Sequence, residues 1–220
     1  MFIQNHIYHL THADNLPSIQ RHGLLSAQAL LDLAGADKEE QQRINQHQRP
    51  TSLALPNGTL LNDQKPMPSS ALERCLHGMT PAQWYTLLNS KVFFWFDIER
   101  LNRLRKVLLT TPQIVLIVDT QRLLARYSDS VSLSPINTGN ARRQPALRGL
   151  STFVPYTTWL QSGWASEANT LGTRSRPKSH QPVELTVTGS VPDIMDFVID
   201  IHKLEPMEIL DMSQLYQKSL

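Results

Sequence analysis

Short apolar runs alternate with polar, helix-forming segments along this chain. Residues 92–96 and 114–118 are continuous apolar runs, which predicts two buried central strands. Segments rich in β-branched and aromatic residues predict further strands at residues 3–11, around Val131, and at residues 150–154, 183–187 and 197–201. Short helices are scattered among these strands without a regular βαβ period. The pattern therefore predicts a single α+β domain over residues 1–220, with mixed or antiparallel sheets and short helices.

Helix starts are marked by Ser, Thr, Asp or Asn, in several cases with proline in the first turn. Asp14 or Asn15 is predicted to cap a helix that ends at Gly23. The capping-box patterns at residues 70–73 and 80–83 predict two more helices. Further helices are predicted at residues 26–34, 97–107 and 120–127, and residues 37–49 form either a helix or a mobile crossover.

The composition of the sequence indicates the cellular compartment of the protein. The single cysteine, Cys75, excludes an internal disulfide and a cysteine-rich metal site, so a reducing cytoplasm is the simplest location. The longest apolar runs are too short to span a bilayer, and residues 1–10 lack the pattern of a signal peptide. We therefore expect a cytoplasmic protein without a membrane partner.

Basic residues are concentrated in one part of the chain, although the formal net charge is only +2. Between residues 140 and 180 one acid, Glu167, accompanies these basic residues: Arg142, Arg143, Arg148, Arg174, Arg176 and Lys178. Such a segment can contact the phosphates of a nucleotide or a nucleic acid. Trp159 and Trp164 lie in the same segment and are candidates for stacking on bases, with burial in the core as the alternative. A solvated loop with acidic neighbours in space explains the charges equally well.

Residues with chemical potential lie on predicted strands rather than in familiar motifs. The sequence contains no Walker loop, G-x-G-x-x-G or G-x-S-x-G, and its histidine spacing gives no support for a metal site. His9 and Thr11 are two apart on the first strand, so both project from the same face. Glu184 lies inside an apolar strand, where a carboxylate is costly unless it is paired or lines a cavity. The alternative is an edge-strand glutamate that faces water.

Two segments resemble a known family of enzymes. The run Ile7-Tyr8-His9-Leu10-Thr11-His12-Ala13-Asp14-Asn15-Leu16-Pro17-Ser18-Ile19, followed by His22-Gly23-Leu24, looks like the opening of DarT-type ADP-ribosyltransferases. Pro182-Val183-Glu184-Leu185-Thr186-Val187, followed by Val191-Pro192-Asp193-Ile194, resembles the segment that carries their catalytic glutamate. Arg49, ahead of a variable loop that ends in Asp63-Gln64-Lys65-Pro66-Met67, is similar to an arginine of that family. The middle of the chain resembles a bacterial family that we take to be a distant branch of the same fold.

The resemblance implies an ADP-ribosyltransferase-like fold and an enzyme that moves ADP-ribose from NAD to a macromolecule, either a DNA or RNA base or a protein. It implies catalytic roles for Glu184 and Arg49. The residues expected to contact NAD are His9, Thr11, Asn15, Phe94 and Trp95, and those expected to contact the acceptor are Arg148 and Thr152. Residues 157–181 are expected to form a substrate-facing loop. A cognate antitoxin is a further partner that the resemblance suggests.

Other interpretations of the same residues stay open. Asn15 can serve as a helix cap, and His9 can be a half-buried structural histidine. Phe94 and Trp95 are adjacent on one strand, so one should be core and the other can stack on nicotinamide. The whole protein can instead be an NAD glycohydrolase, with water as acceptor, or a non-catalytic binding module. The acidic C-terminal segment can close the domain or mediate dimerisation.

Overall fold

A computed structural model describes residues 3–62, 64, 67–141, 145–177 and 179–211. The described strands are β1 (His6–His12), β2 (Leu24–Leu25), β3 (Leu53–Ala54), β4 (Leu60–Leu61), β5 (Lys91–Trp95), β6 (Gln113–Asp119), β7 (Val131–Ser134), β8 (Val154–Pro155), β9 (Glu184–Thr188), β10 (Ser190–Val191) and β11 (Val198–Leu204). The described α-helices are α1 (Leu16–His22), α2 (Ala27–Leu33), α3 (Lys38–Gln46), α4 (Ser69–Cys75), α5 (Pro81–Asn89), α6 (Ile98–Arg105), α7 (Thr120–Tyr127), α8 (Tyr156–Ser162) and α9 (Ala165–Leu171). Among them, no helix combines the length and the apolar composition that crossing a membrane requires. Strands and short helices together confirm the predicted α+β class.

Seven of the described strands form one sheet in the order β11-β6-β1-β5-β9-β7-β8, and every neighbouring pair is antiparallel. β1 and β6 pair along their whole length. β1 and β5 have only Tyr8 and Trp95 in register. The sheet is therefore weakly joined at this point, and its two halves, β11-β6-β1 and β5-β9-β7-β8, separate beyond the Tyr8–Trp95 pair.

The two faces of this sheet bury different clusters. One face carries a continuous core, in which Phe94, Leu116 and Leu185 pack in the same cluster as Leu123 of α7 and Trp159 of α8. The other face carries two separate clusters. One lies between α6 and the β11-β6-β1 half, and the other lies among α4, α5 and β5. This division of the second face leaves room for a cavity between the clusters.

Most predicted elements agree with the structure. α7 spans the predicted residues 120–127, and residues 37–49 form α3 rather than a mobile crossover. Asp37 caps α3 by accepting a hydrogen bond from the Glu40 N–H at 2.9 Å. Thr80 and Gln83 form the predicted capping box at the start of α5. These agreements follow from local chemistry, because a cap satisfies helix N–H groups wherever the helix packs.

Two local predictions are wrong. Leu150–Thr152 form a 3-10 helix instead of a strand, and the Gly149 N–H closes this turn by donating to Thr152 Oγ1 at 3.0 Å. Ser70 lies inside α4 rather than capping it, because the helix begins after Pro68 without a side-chain cap. Pro68 occupies the N-cap position and the helix begins at Ser69, so Ser70 already lies within its first turn.

The expected substrate-facing loop at residues 157–181 is mostly helical. α8 and α9 occupy its first half. Trp159 and Trp164 are each 2% exposed and pack edge to face in the core, with ring centroids 6.0 Å apart. The prediction that they stack on bases is therefore wrong. Apolar aromatic surface of this size is buried by preference, and here the helices carry it inward.

The chain that follows β11 packs against α6. Arg105 is fully buried, and its guanidinium donates to the backbone carbonyls of Glu205 at 2.7 Å and Glu208 at 2.9 Å. The Asn102 side chain pairs with the backbone C=O and N–H of Leu210 at 2.8 and 3.0 Å. Of the two alternatives for the acidic C-terminal segment, its described part closes the domain.

Candidate active site

A cavity of about 500 Å³ lies where β1 and β5 separate. Leu10 and Leu104 reach it from one of the two clusters on the second face, and Met67 and Leu88 reach it from the other. The predicted site residues that line it are His9, Thr11, Asn15, Arg49, Trp95 and Glu184. Side chains from distant parts of the sequence thus meet around one space, whose volume is typical of small-molecule sites.

Glu184 begins β9, and its carboxylate faces the cavity. The antiparallel register sets it beside Trp95 of β5 and Ser134 of β7, so it lies on an interior strand. The residue is 3% exposed. Its Oε2 accepts a hydrogen bond from Thr138 Oγ1 at 2.8 Å, and the Thr138 N–H lies 3.3 Å from both carboxylate oxygens. The water-facing alternative for Glu184 is therefore wrong.

Burial raises the pKa of Glu184 to about 7, because the ionised carboxylate loses its hydration in the cavity wall. The hydrogen bonds from Thr138 and the charges of Arg148 and Arg100 act in the opposite direction. A carboxyl group with a pKa near neutrality is suited to accept or release a proton at physiological pH. Perturbed carboxyl groups in cavities are typical of functional sites.

Arg148 and Thr152, which were expected to contact an acceptor, do not line the cavity. Arg148 is 2% exposed, and its Nη1 donates to the Thr138 carbonyl at 3.1 Å. Thr152 is fully buried, and its hydroxyl accepts from the Gly149 N–H. Arg148 therefore supports the residue that holds Glu184, and the structure does not place either side chain where an acceptor could reach it.

His9 is half-buried at the cavity wall. Its Nδ1 lies 2.8 Å from the Phe93 carbonyl oxygen. Since a carbonyl oxygen only accepts, Nδ1 carries the proton of this bond. Burial lowers the pKa of His9, which keeps the ring neutral. Nε2 of the neutral ring is then an acceptor, and it can receive a hydrogen bond from a ligand hydroxyl.

Asn15 and Thr11 join the end of β1 to β4. Asn15 Nδ2 donates to Thr11 Oγ1 at 2.9 Å and to the Leu60 carbonyl at 2.8 Å, while its Oδ1 accepts from the Leu60 N–H at 2.8 Å. α1 has no side-chain cap, so the prediction that Asp14 or Asn15 caps it is wrong. The amide of Asn15 matches the C=O and N–H of an extended residue, and this pairing takes the place of the cap.

Arg49 is held at the cavity wall by several hydrogen bonds. Its Nη1 donates to Asn89 Oδ1 at 3.1 Å, and its Nε donates to the Asn62 carbonyl at 3.3 Å. The Arg49 backbone N–H donates to Gln64 Oε1 at 3.0 Å, and Gln64 also bonds Asn89. A guanidinium fixed in this way presents its charge to the cavity in one orientation.

Phe94 and Trp95 point to opposite faces of β5. Phe94 is fully buried in the continuous core and does not line the cavity. Trp95 is half-buried and lines the cavity beside Glu184. Of the two aromatic candidates, only Trp95 is placed to contact a ligand.

Sequence reasoning missed three basic residues of the cavity wall: Lys91, Arg100 and Arg103. Together with Arg49, they face a single carboxylate, Glu184, among the described lining residues. A cavity with this balance attracts anions. No group of three or more His, Cys, Asp or Glu side chains within the described ranges could hold a metal ion.

Lys91 had a detectable signal in the sequence. It alternates with Phe93 and Trp95 on β5, and alternating residues of a strand share a face. Lys91 is 8% exposed, and its Nζ donates to Thr188 Oγ1 at 2.9 Å. Burial lowers the pKa of Lys91 to about 8. A lysine at the start of a buried strand indicates a partner or a cavity, as the glutamate in β9 does, because a buried charge without either is costly.

The basic segment between residues 140 and 180 does not form one exposed surface. Three of its basic residues lie outside the described part of the chain: Arg142, Arg143 and Lys178. Arg148 is buried, and Arg176 pairs with the buried Glu167 at 3.3 Å. Arg174 is exposed. Phosphate contacts by this segment stay a prediction.

The two segments that resemble DarT-type enzymes contact each other. Leu24 of β2 pairs with Val191 of β10. Gly23 has φ of 76°, and a Cβ at this position would lie 2.3 Å from Val191 O and from Pro192 Cα. The close approach of two backbones therefore requires glycine here.

Solved structures with a similar fold include DarT from Thermus sp. 2.9 in complex with NAD+, with 15% identity, a TM-score of 0.39, and coverage of 90% of this chain and 80% of that one. DarTG from Thermosipho africanus in complex with ADP-ribose has 15% identity and a TM-score of 0.43, and the match covers 98% of this chain and 47% of that one. Thermus sp. 2.9 DarT in complex with ADP-ribosylated ssDNA has 16% identity and a TM-score of 0.40, again over 90% and 80% of the two chains.

No curated protein matches this sequence. A family model described as "Family of unknown function (DUF7002)" matches residues 5–198, which is most of the chain. The protein therefore belongs to the DUF7002 family.

Proposed function

We propose that this protein is an NAD-dependent ADP-ribosyltransferase that modifies a macromolecule. The observation that carries the proposal is the buried carboxylate of Glu184 in the wall of a cavity whose other charged side chains, among the described lining residues, are basic. The sequence resemblance of the segments around His9 and Glu184 to DarT-type enzymes supports the same reaction.

The residues of the cavity fit a dinucleotide such as NAD. A volume of about 500 Å³ is within the range of small-molecule sites. The guanidinium of Arg49 suits a diphosphate, and the neutral imidazole of His9 can accept from a ribose hydroxyl. Trp95 offers an aromatic surface for a planar ring.

Glu184 is the residue that we assign to catalysis. Bound NAD supplies an ADP-ribosyl group whose bond to nicotinamide breaks as positive charge develops on the ribose, as in glycoside hydrolysis. An ionised Glu184 stabilises such a charge, and its effect is strong because the cavity wall is poor in water. A positive charge nearby also favours the ionised form of Glu184. Thr138 holds the carboxylate in one orientation, which reduces the reorganisation needed during the reaction.

Glu184 can also act on the acceptor. Its pKa of about 7 lets it take a proton from an acceptor amine or hydroxyl once that group lies within hydrogen-bond distance. We propose a DNA or RNA base as the acceptor, on the basis of the sequence resemblance, with a protein side chain as the alternative. If water is the acceptor, the same residues make the protein an NAD glycohydrolase.

The test is transfer of label from NAD. Purified wild type, Glu184→Gln and Glu39→Gln are incubated with NAD labelled in the adenylate part and with single-stranded DNA, RNA or cell protein in separate reactions. Glu39 is an exposed residue of α3 outside the cavity, so Glu39→Gln is a control for the loss of one carboxylate. We expect label in one acceptor class with wild type and Glu39→Gln, and none with Glu184→Gln.

Each other outcome has a definite meaning. Release of nicotinamide without labelled acceptor identifies a glycohydrolase. Equal transfer by wild type and Glu184→Gln contradicts the role of Glu184. Neither transfer nor release by folded wild type, as judged by circular dichroism, contradicts the proposed function.

A further inference from the structure

Lys91 is a buried lysine in the cavity wall, and the reaction described above does not use it. It is 8% exposed, and none of the carboxylates within the described residues forms an ion pair with it. Its Nζ donates to the hydroxyl of Thr188 and lies 4.9 Å from the centroid of the Phe153 ring. The ammonium group therefore has neutral partners only among these contacts.

These contacts do not compensate for the burial of the charge. Removing an ammonium group from water costs several kcal/mol. A neutral hydrogen bond and a cation–π contact recover part of this cost. The lowered pKa of Lys91 reflects the part of the desolvation cost that these contacts do not recover. A charge kept in a cavity wall without a counter-charge is best accounted for by a ligand that brings one.

The position of Lys91 indicates which part of a ligand it meets. Lys91 and Trp95 lie on the same face of β5, and Trp95 is directly opposite Glu184. Lys91 lies four positions from Trp95 along β5, or about 13 Å. Lys91 also comes two residues after Asn89, whose side chain binds the Arg49 guanidinium at 3.1 Å. Lys91 and Arg49 therefore serve one end of the cavity, and Glu184 lies toward the other.

We propose that Lys91 and Arg49 together bind the diphosphate of a nucleotide whose ribose lies against Glu184. This inference rests on the proposed function and assigns a binding residue to the same site. Lys91 supplies a compact positive charge, and Arg49 supplies a guanidinium charge whose orientation is fixed by Asn89 and Asn62. Two such groups on one anion bind it more strongly than either alone, because each can form a charge-assisted hydrogen bond.

Isothermal titration calorimetry with the full chain tests this assignment. The probes are ADP, inorganic pyrophosphate and adenosine, and the variants are Lys91→Met, Lys91→Arg and Lys106→Met. Methionine keeps the length of the lysine stem, and Lys106 is an exposed lysine that follows α6 outside the cavity. We expect Lys91→Met to weaken ADP and pyrophosphate binding at least about tenfold and to leave adenosine binding unchanged. Lys91→Arg should retain most of the affinity, and Lys106→Met should bind as wild type.

Several results would overturn the inference. Equal affinity of wild type and Lys91→Met for ADP removes the proposed contact. An equal loss of affinity for ADP and for adenosine in Lys91→Met indicates a distorted cavity rather than a lost phosphate contact. Failure of wild type to bind either ADP or pyrophosphate also rejects the site.

The outcome is separable from that of the proposed function. Glu184-dependent NAD turnover with unchanged ADP binding by Lys91→Met rejects only the assignment of Lys91. Lys91-dependent ADP binding without NAD turnover rejects the transferase and leaves a nucleotide-binding site.

Discussion

Replacing Thr138 by valine removes the 2.8 Å hydrogen bond from its hydroxyl to Glu184 Oε2 and leaves the backbone N–H in place. A hydrogen bond to a charged group contributes roughly 1.5–3 kcal/mol. One pKa unit corresponds to about 1.36 kcal/mol, so we expect the pKa of Glu184 to rise by about one to two units. The direction is upward because the hydroxyl donates to the carboxylate form, and its loss disfavours ionisation. The starting value is about 7.

The pKa can be measured directly by NMR. Protein labelled at the glutamate carboxyl carbons is titrated, and the Glu184 resonance is identified by its absence in Glu184→Gln. Thr138→Ser retains a hydroxyl and should titrate close to wild type. In an NAD turnover assay, Thr138→Val should shift the acid limb of the pH–rate profile upward by the same amount. At pH 7 its ionised fraction should fall from about half to about a tenth or less, and activity should recover at higher pH.

Two results would refute this reasoning. An unchanged titration midpoint in Thr138→Val would mean that the hydroxyl does not stabilise the carboxylate. A midpoint that moves down, toward the value of an exposed glutamate, would mean that water enters and that burial depends on Thr138. A merely structural role for Thr138 would lower activity at every pH without moving the profile.

Three further predictions concern the stability of the site, and each is measured by urea denaturation. Gly23→Ala should lower the free energy of unfolding by more than about 2 kcal/mol, because its Cβ would lie 2.3 Å from backbone atoms. Gly35→Ala has a similar φ but open space, so a loss of only about 1 kcal/mol is expected, and equal losses would contradict the close contact. Asn15→Ala removes the side-chain amide that binds the backbone C=O and N–H of Leu60, and it should lower the free energy of unfolding by about 2 kcal/mol. A decrease of less than about 0.5 kcal/mol would show that water replaces the amide. The pKa of Glu184 is raised from 4.5 to about 7 in the folded state. The wild type should therefore lose stability relative to Glu184→Gln as the pH rises from 4.5 through 7, by on the order of 3 kcal/mol. A difference in stability that does not depend on pH would argue against the raised pKa.

Local sequence patterns were sufficient for the long central strands and for most helices. The apolar runs around Phe94 and Leu116 belong to central strands, and the Thr80 capping box starts a helix as predicted. These features depend on neighbours within a few residues. Asn15 could not be assigned in this way, because its amide binds Leu60, 45 positions along the chain. The bond from Asn15 to Leu60 took the place of the helix cap that the local sequence favours.

The site was predictable only in part, for a similar reason. Glu184 and Lys91 interrupt buried strands, and such interruptions are visible in a sequence when the strand is recognised. Thr138 acts through its hydroxyl and backbone N–H, which carry no sequence signature. Arg148 was expected to contact the acceptor because nothing local indicates that its guanidinium binds the Thr138 carbonyl.

The positions of the charges explain how one cavity can hold both a near-neutral carboxyl group and several cations. The charges of Arg148 and Arg100 favour the ionised form of Glu184, yet burial outweighs them and the pKa is raised. Lys91, in contrast, lies four positions away from Glu184 along the paired strands. Protonation of Glu184 is therefore governed by burial, by Thr138 and by these two arginines. A dinucleotide has this same division of charge, because its anionic diphosphate and the ribose that becomes cationic are separate groups. In the nucleotide complex that we propose, the spacing of Lys91 and Glu184 on two paired strands would place each protein charge beside the ligand group of opposite sign.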